Sequence, residues 1–183
     1  AERVEAYPPV KLLTDSDGAS ARLRVDVGQT GFFAGREFRS WLELTIPQSQ
    51  DLWIKFSSPV NFILFEQTLI IDNGDIRFTS VIGGTESGTW TPMPNVGKNR
   101  MTSRPQPYYE SQVTLGSGGG HTGGTIMELK RLSTANATAQ ATSVGGTQSD
   151  ERGLPATDYY LHFENIGNSE ITGIYSLFWE ERP

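Results

Sequence analysis

The sequence predicts an all-β protein, an antiparallel β-sandwich with jelly-roll-like character in a single domain with long loops. Three observations predict it. Apolar and polar residues alternate in short runs, as they do in strands with one buried face. Turn residues separate those runs at close spacing, which is typical of sandwiches and barrels. Glycine, serine and threonine supply 54 of the 183 residues and hydrophobic residues only 36%, which favours short strands over a helical bundle.

An extended N-terminal arm is predicted over residues 1–20, ahead of a sandwich over residues 21–183. The arm has dense charge and no sustained period, and two adjacent prolines hold its backbone extended. We expect it to reach a neighbouring subunit and to fill pockets there, with a frayed terminus as the alternative. Its candidate contact residues are Tyr7, Pro8, Pro9, Val10, Leu12 and Leu13.

The first strands of the sandwich are predicted over 22–27, 38–46 and 52–57, where apolar residues alternate with polar ones. Two further runs, 60–72 and 75–82, flank Asp72-Asn73-Gly74. An Asn-Gly pair between apolar runs is typical of a type I′ turn, whose two central residues need positive φ. These two runs are therefore predicted to pair as a hairpin.

The middle of the chain is predicted to be looser. Residues 85–111 have four prolines and are expected to form a long loop with a short strand around Trp90. A strand is predicted over 109–115, a glycine-rich connection over 116–124 and another strand over 125–132. Small polar residues then predict a second long loop over 133–156.

Two strands are predicted to close the chain, over 157–165 and 170–181. Within the last strand Ile171, Tyr175 and Trp179 share one face. A strand that ends three residues from the terminus would fray at a sheet edge, so we expect it to lie inside the sheet with Trp179 in the core.

Several kinds of chemistry find little support in the sequence. There is no cysteine, and the two histidines stand in no triad-like pattern. Gly118, Gly120 and Gly123 match a nucleotide-binding spacing but lack its strand-helix context, so a flexible loop is preferred. No catalytic residue, metal ligand or cofactor is predicted. A pI near 4.9 argues against a nucleic-acid partner, and no apolar run approaches the length of a membrane span.

Aromatic and arginine residues in the proline-rich stretch are the candidates for partner binding. Tyr, Trp and Arg concentrate at binding hot spots. The alternative is that these side chains cap the ends of the sandwich. The residues are Trp90, Arg100, Arg104, Tyr108 and Tyr109.

Three stretches carry a resemblance to a known class of protein: 11–39, 99–109 and 159–183. In them the chain resembles small all-β virion structural proteins, of the decoration or accessory type, of tailed bacteriophages. The resemblance implies a non-enzymatic protein that is made in the host cytoplasm and assembles on the exterior of the virion. It implies a homo-oligomer, with a trimer as one candidate, and phage capsid or tail proteins as partners.

The leading hypothesis from the sequence is a capsid decoration or cement protein, with a neck or tail accessory as a related version. Many identical contacts would hold such a protein by avidity. The competing hypothesis is a tail-tip or fibre adhesin, a carbohydrate-binding β-sandwich module whose aromatic residues stack on sugar rings of a host-surface glycan.

Overall fold

The computed structural model describes residues 12–14, 21–23, 30–100, 109–134, 140–144 and 152–183. Residues 1–30 and 31–183 form two compact units. The arm predicted over 1–20 stays a prediction, because most of these residues fall outside the described ranges. In the first unit, β1 (Leu12–Thr14) pairs antiparallel with β2 (Ala21–Leu23). Leu12 and Leu13 of the predicted arm therefore have a local strand partner, which the sequence analysis did not foresee. The strand predicted over 22–27 is described only as far as Leu23.

The second unit is almost entirely β. A four-residue helix, α1 (Thr30–Phe33), precedes its strands. The strands are β3 (Glu37–Ile46), β4 (Asp51–Ser57), β5 (Asn61–Ile71), β6 (Asp75–Ile82), β7 (Thr85–Pro92), β8 (Val96–Gly97), β9 (Thr114–Thr122), β10 (Thr125–Ser133), β11 (Gln140–Val144), β12 (Arg152–Leu154), β13 (Asp158–Asn165) and β14 (Ile171–Arg182).

These strands form two antiparallel sheets that pack against each other. Sheet A has the order β10-β6-β13-β4-β9-β7, and sheet B has the order β11-β5-β14-β3-β8 with β12 also paired to β5. The predicted all-β antiparallel sandwich is confirmed.

The hydrophobic core lies between the two sheets and is rich in aromatic rings. Trp179 of sheet B is fully buried, and its ring meets Phe56 of sheet A edge-on, with centroids 5.3 Å apart. Tyr175 of sheet B meets Phe163 of sheet A in the same way at 4.8 Å. Edge-to-face pairs of this kind add to the stabilisation from burial itself.

Strand β14 occupies the middle of sheet B, as the sequence predicted. It pairs with β3 on one side and with β5 on the other over most of its length. Because its amides and carbonyls are bonded on both sides, the end of the chain is held in the sheet.

The hairpin predicted through Asp72-Asn73-Gly74 is wrong, although both of its strands exist. β5 belongs to sheet B and β6 to sheet A, so the turn carries the chain from one sheet to the other. Gly74 has the expected positive φ of 89°, but Asn73 does not. Instead the Asn73 side chain donates a hydrogen bond to the carbonyl of Glu170 over 3.1 Å. The neighbour of β5 in the sheet is β14, and not β6 as the predicted hairpin requires.

Two predicted long loops contain strands. β7 and β8 lie within 85–111, while β11 and β12 lie within 133–156 and pair with β5. β7 contains the short strand predicted around Trp90 but is longer than expected, because all but one of its residues are exposed and no apolar alternation marks its extent. The strand predicted from residue 109 begins only at Thr114, and it continues through the predicted glycine-rich connection to Thr122.

Two glycine pairs interrupt two long paired segments of sheet A, β6–β7 and β9–β10, and allow both to bend. Gly83-Gly84 separates β6 from β7, and Gly123-Gly124 separates β9 from β10. On one side of the glycines β6 pairs with β10, and on the other side β7 pairs with β9. All four glycines have φ between 68° and 92°, a range that other residues adopt only with strain. Both strands can therefore change direction at the same point.

Trp179→Ala is expected to lower the free energy of unfolding by about 3–5 kcal/mol, because it removes the largest fully buried ring of the core. Chemical denaturation measures the loss. Trp41→Ala is the matched control, since Trp41 is exposed on β3 and should change stability little. Equal effects of the two substitutions would contradict this assignment of the core.

Gly74→Val is expected to cost about 1–3 kcal/mol of stability. A side chain at Gly74 would be strained at φ 89°, and its Cβ would lie 2.9 Å from Cγ1 of Ile171. Gly153→Val is the control, because a Cβ there meets no atom within 4 Å. Thermal melts of the two variants should differ, and a Gly74 variant as stable as the parent would exclude the close contact.

Candidate functional site

A cluster of aromatic and histidine rings, two of them buried and three half-buried, lies on the outer face of sheet A. We call it the ring cluster; it consists of Trp53 of β4, Trp90 of β7, His121 of β9, and Tyr160 and His162 of β13. Directly opposite residues of an antiparallel pair share a face. His162 is opposite Trp53 and Tyr160 is opposite Lys55, so these side chains point away from the core.

The rings of the cluster contact one another closely. Trp53 and His162 are stacked, with centroids 4.0 Å apart and planes 10° apart. His121 and Tyr160 are stacked at 4.0 Å and 23°. Trp53 lies 5.2 Å from His121, and Trp90 lies 6.2 Å from Tyr160. The contacts join four strands of the sheet across their outer surface.

Hydrogen bonds fix the orientation of three of these rings. Asp51 accepts a hydrogen bond from Nε1 of Trp53 at 3.2 Å, and its carboxylate lies 2.8 Å from Nε2 of His162. Nε2 of His121 lies 2.7 Å from the carbonyl oxygen of Gly83. Because a carbonyl only accepts, this nitrogen of His121 carries the proton.

The glycines of β9 provide the surface on which Trp90 lies. A Cβ at Gly119 would be 2.7, 2.8 and 3.0 Å from Cε2, Cδ2 and Cζ2 of Trp90. Three central indole atoms at nearly equal distance mean that the ring presents its face to Gly119. A Cβ at Gly116 would also meet the Cβ of Trp90, at 2.9 Å. The glycine-rich sequence of β9 thus makes room for the indole.

Charged side chains border Tyr160 on the same face. The Lys55 ammonium lies 2.8 Å from Glu86 and 3.4 Å from Asp158. The hydrogen bond from Lys55 to Glu86 raises the pKa of the lysine, so it stays charged. Burial raises the pKa of Tyr160, whose hydroxyl also bonds to Glu86. Both carboxylates remain partly exposed and keep free acceptor capacity.

Strand β10 is one edge of sheet A and displays apolar side chains. Ile126 and Leu129 are each 60% exposed and Met127 is 49% exposed. Ile126 and Leu129 are opposite Val81 and Thr79 of β6, which places them on the outer face. In the part of the chain that the structure describes, β10 has a strand partner on one side only.

A small cavity of about 50 Å³ lies beneath β10, between the two sheets. Apolar side chains line most of it, including Met127 and Leu154. Glu128 also lines the cavity and forms a two-pronged ion pair with Arg152, at 3.0 and 3.1 Å. The ion pair joins β10 to β12 and so connects the edges of the two sheets.

Only some of the predicted contact residues can be placed. Trp90 belongs to the ring cluster and is half-buried, while Arg100 is exposed beyond β8. Tyr109 lies elsewhere, against Phe38 at 6.1 Å, so the structure does not bring it together with Trp90. The predictions for Tyr7, Pro8, Pro9, Val10, Arg104 and Tyr108 fall outside the described residues.

Tyr109 is part of a buried hydrogen-bond network around Glu181. Its hydroxyl donates to the fully buried carboxylate of Glu181 over 2.8 Å. Burial, together with this bond, raises the pKa of Tyr109 to about 12. Ser111 and the amide of Gln112 donate to the same carboxylate. The network holds the irregular segment 109–113 against β14, which is an internal role for Tyr109.

The sequence analysis missed Trp53, His121, Tyr160 and His162 as one site. His162 lies on the face of β13 opposite the buried Leu161 and Phe163. The signal that could have found the cluster is the pairing of β4 with β13, which are about 100 residues apart in the chain. That register cannot be inferred from local alternation.

Two features are absent from the described ranges: a metal-binding cluster and a membrane-spanning helix. Among these residues no group of three or more acidic or histidine side chains is arranged to hold a metal ion. None of the helices found there has the length and apolar character that crossing a membrane requires.

Gly119→Ala is expected to displace the Trp90 indole, because the new methyl group would lie 2.7 Å from the ring. The indole N–H resonance of Trp90 should shift in an NMR spectrum, while that of Trp41 on sheet B should not. Gly35→Ala is the control, because Gly35 also has a positive φ, of 73°, but a Cβ there meets no atom within 4 Å. An unchanged Trp90 resonance would show that the indole does not lie on β9.

No protein-family model matches the chain, and neither does a curated protein or a solved structure. A proposal for the function therefore has to be argued from the sandwich, the ring cluster and the edge strand β10.

Proposed function

We propose that the protein is a non-enzymatic structural component of a tailed-bacteriophage virion, a decoration or cement protein on the exterior of the capsid. It acts through contacts between identical copies and with the phage proteins beneath them. Support for the phage assignment comes from the resemblance of residues 11–39, 99–109 and 159–183 to virion proteins of this type. A rigid antiparallel sandwich suits a part that must present fixed contact surfaces.

The observation that carries the assembly part of the proposal is the exposed edge of β10. An edge strand offers unpaired amides and carbonyls to another chain, and natural sheets usually protect such edges with charge, proline or a covering segment. β10 does carry Lys130 and Arg131, but Ile126, Met127 and Leu129 are exposed on the same strand. Apolar side chains beside backbone groups that no other described strand pairs are suited to a second copy of the chain.

A contact through β10 would be modest in area, and repetition would strengthen it. On a particle with many equivalent sites, each copy binds at several points at once, so the total affinity exceeds that of a single contact. The predicted arm, residues 1–20, would add a second contact to the neighbouring subunit. In this proposal the homo-oligomer, with a trimer as one candidate, is the unit that joins the particle.

Leu129→Lys is expected to shift the protein from oligomer to monomer, because it places a charge in the apolar contact of β10. Light scattering on a sizing column measures the mass of the assembly. Ile174→Lys is the matched control: Ile174 is an exposed apolar residue on β14 of sheet B, at 45%, and its substitution should leave the mass unchanged.

The same variants test binding to the virion. Phage particles assembled without the protein should take up the parent and the Ile174 variant, and should take up much less of the Leu129 variant. A parent protein that is monomeric at all concentrations and fails to bind particles would refute the proposal.

Labelled particles seen by electron microscopy separate a decoration protein from the competing adhesin. Label over the whole capsid supports decoration. A few copies at the tail, together with binding of a host-surface glycan, would favour the tail-tip or fibre adhesin instead.

A further inference from the structure

We propose that the surface around Trp90 binds a neutral sugar ring. The inference rests on the ring cluster and its charged border, and it holds whether or not the protein decorates a capsid. The ligand class is an uncharged pyranose, alone or within an oligosaccharide.

The two faces of the Trp90 indole have different surroundings. One face of Trp90 lies on the backbone of Gly119, because a Cβ at that glycine would be almost equally far from three central atoms of the ring. Trp90 as a whole is half-buried, and we assign the ligand to the ring face that is turned away from Gly119. An aromatic face with its opposite side supported by backbone is a rigid platform for the C–H groups of a sugar.

Neighbouring residues hold Trp90 in place. Strand β9 is glycine-rich where the indole lies, and side chains at Gly116 or Gly119 would collide with Trp90. Tyr160 contacts Trp90 at one side and is itself stacked on His121. A site held by its neighbours loses little entropy when a ligand binds, which matters for a weakly binding ligand such as a single sugar.

Charged groups near Trp90 can form hydrogen bonds with the hydroxyls of a sugar. Lys55, Tyr160 and Gly116 are aligned across three neighbouring strands. The Lys55 ammonium lies 5.9 Å from the centre of the Tyr160 ring, which is 6.2 Å from that of Trp90. Lys55 and its partners Glu86 and Asp158 are therefore close to the indole. Carboxylates accept from sugar hydroxyls and an ammonium donates to them. Both carboxylates are more than 40% exposed, so a ligand can reach them.

Charge selects neutral sugars over acidic ones. The polar border consists of one ammonium, on Lys55, and two carboxylates, on Glu86 and Asp158. Its net charge is negative, so a sialic acid or a uronic acid would be repelled. A neutral pyranose can exchange hydrogen bonds with all three groups and carries no such cost.

The test uses NMR titration of the isotope-labelled full chain with a fixed panel of sugars. The neutral probes are the methyl glycosides of glucose, galactose, mannose and N-acetylglucosamine, with cellotetraose, maltotetraose and chitotetraose. The acidic probes are methyl glucuronide and N-acetylneuraminic acid. At least one neutral probe should shift the Trp90 indole resonance and saturate in the millimolar range, and the acidic probes should bind more weakly.

Trp90→Ala should weaken that binding by about tenfold or more. Trp41→Ala, which removes an exposed indole from sheet B, should leave it unchanged. Glu86→Gln provides a second variant at an exposed position, in case loss of Trp90 disturbs the fold, and should weaken binding several-fold. The inference is overturned if no neutral probe shifts Trp90, if only acidic probes bind, or if both Trp90→Ala and Glu86→Gln bind as the parent does. Because the titration reports on the isolated chain, its outcome is separate from that of the particle-binding experiment.

Discussion

The structure depends on the placement of β14 in the middle of sheet B. Its backbone is bonded to β3 and β5, and its inner side chains Tyr175 and Trp179 meet aromatic rings of sheet A across the core. At its end the buried carboxylate of Glu181 holds segment 109–113. One strand thus joins the sheet, the core and a long connection. A substitution in β14 can therefore disturb all three. Loss of the donors to Glu181 would be especially destabilising, because it leaves a buried carboxylate without hydrogen bonds.

Glycine has two different functions in sheet A. At the two double-glycine steps it supplies positive φ, so that two paired strands can bend together. In β9, Gly116 and Gly119 supply space, since side chains there would occupy the volume of Trp90, and Gly119 also has a positive φ of 54°. A composition that suggests flexible loops thereby produces a rigid arrangement, in which backbone atoms take the place of side chains beneath an aromatic ring.

The parts of the fold that the sequence predicts are those with a local cause. Alternation located β3, β4, β13 and β14, and it placed Trp179 in the core, because one face of each of these strands is buried. It failed to give the extent of β7, which is exposed on nearly all its residues and was predicted only as a short strand around Trp90. It also failed for the pairing of β5 with β6, because the better partner of β5 is a strand about 100 residues later in the chain. Trp90 was singled out from its residue type alone. Its supporting glycines and ring partners depend on sheet register, which local sequence does not contain.

The two proposed surfaces belong to different edges of the same sheet. β10 and β7 stand at opposite ends of the strand order of sheet A. A copy that pairs through Leu129 on β10 therefore leaves β7, with Glu86 and Trp90, at the other end of the order. An oligomer built in this way would present one sugar site for each copy. A single platform of this size binds weakly, so several sites on one assembly would gain affinity by avidity. The exposed apolar edge and the supported indole would then act together, the first by setting the number of copies and the second by contacting the glycan.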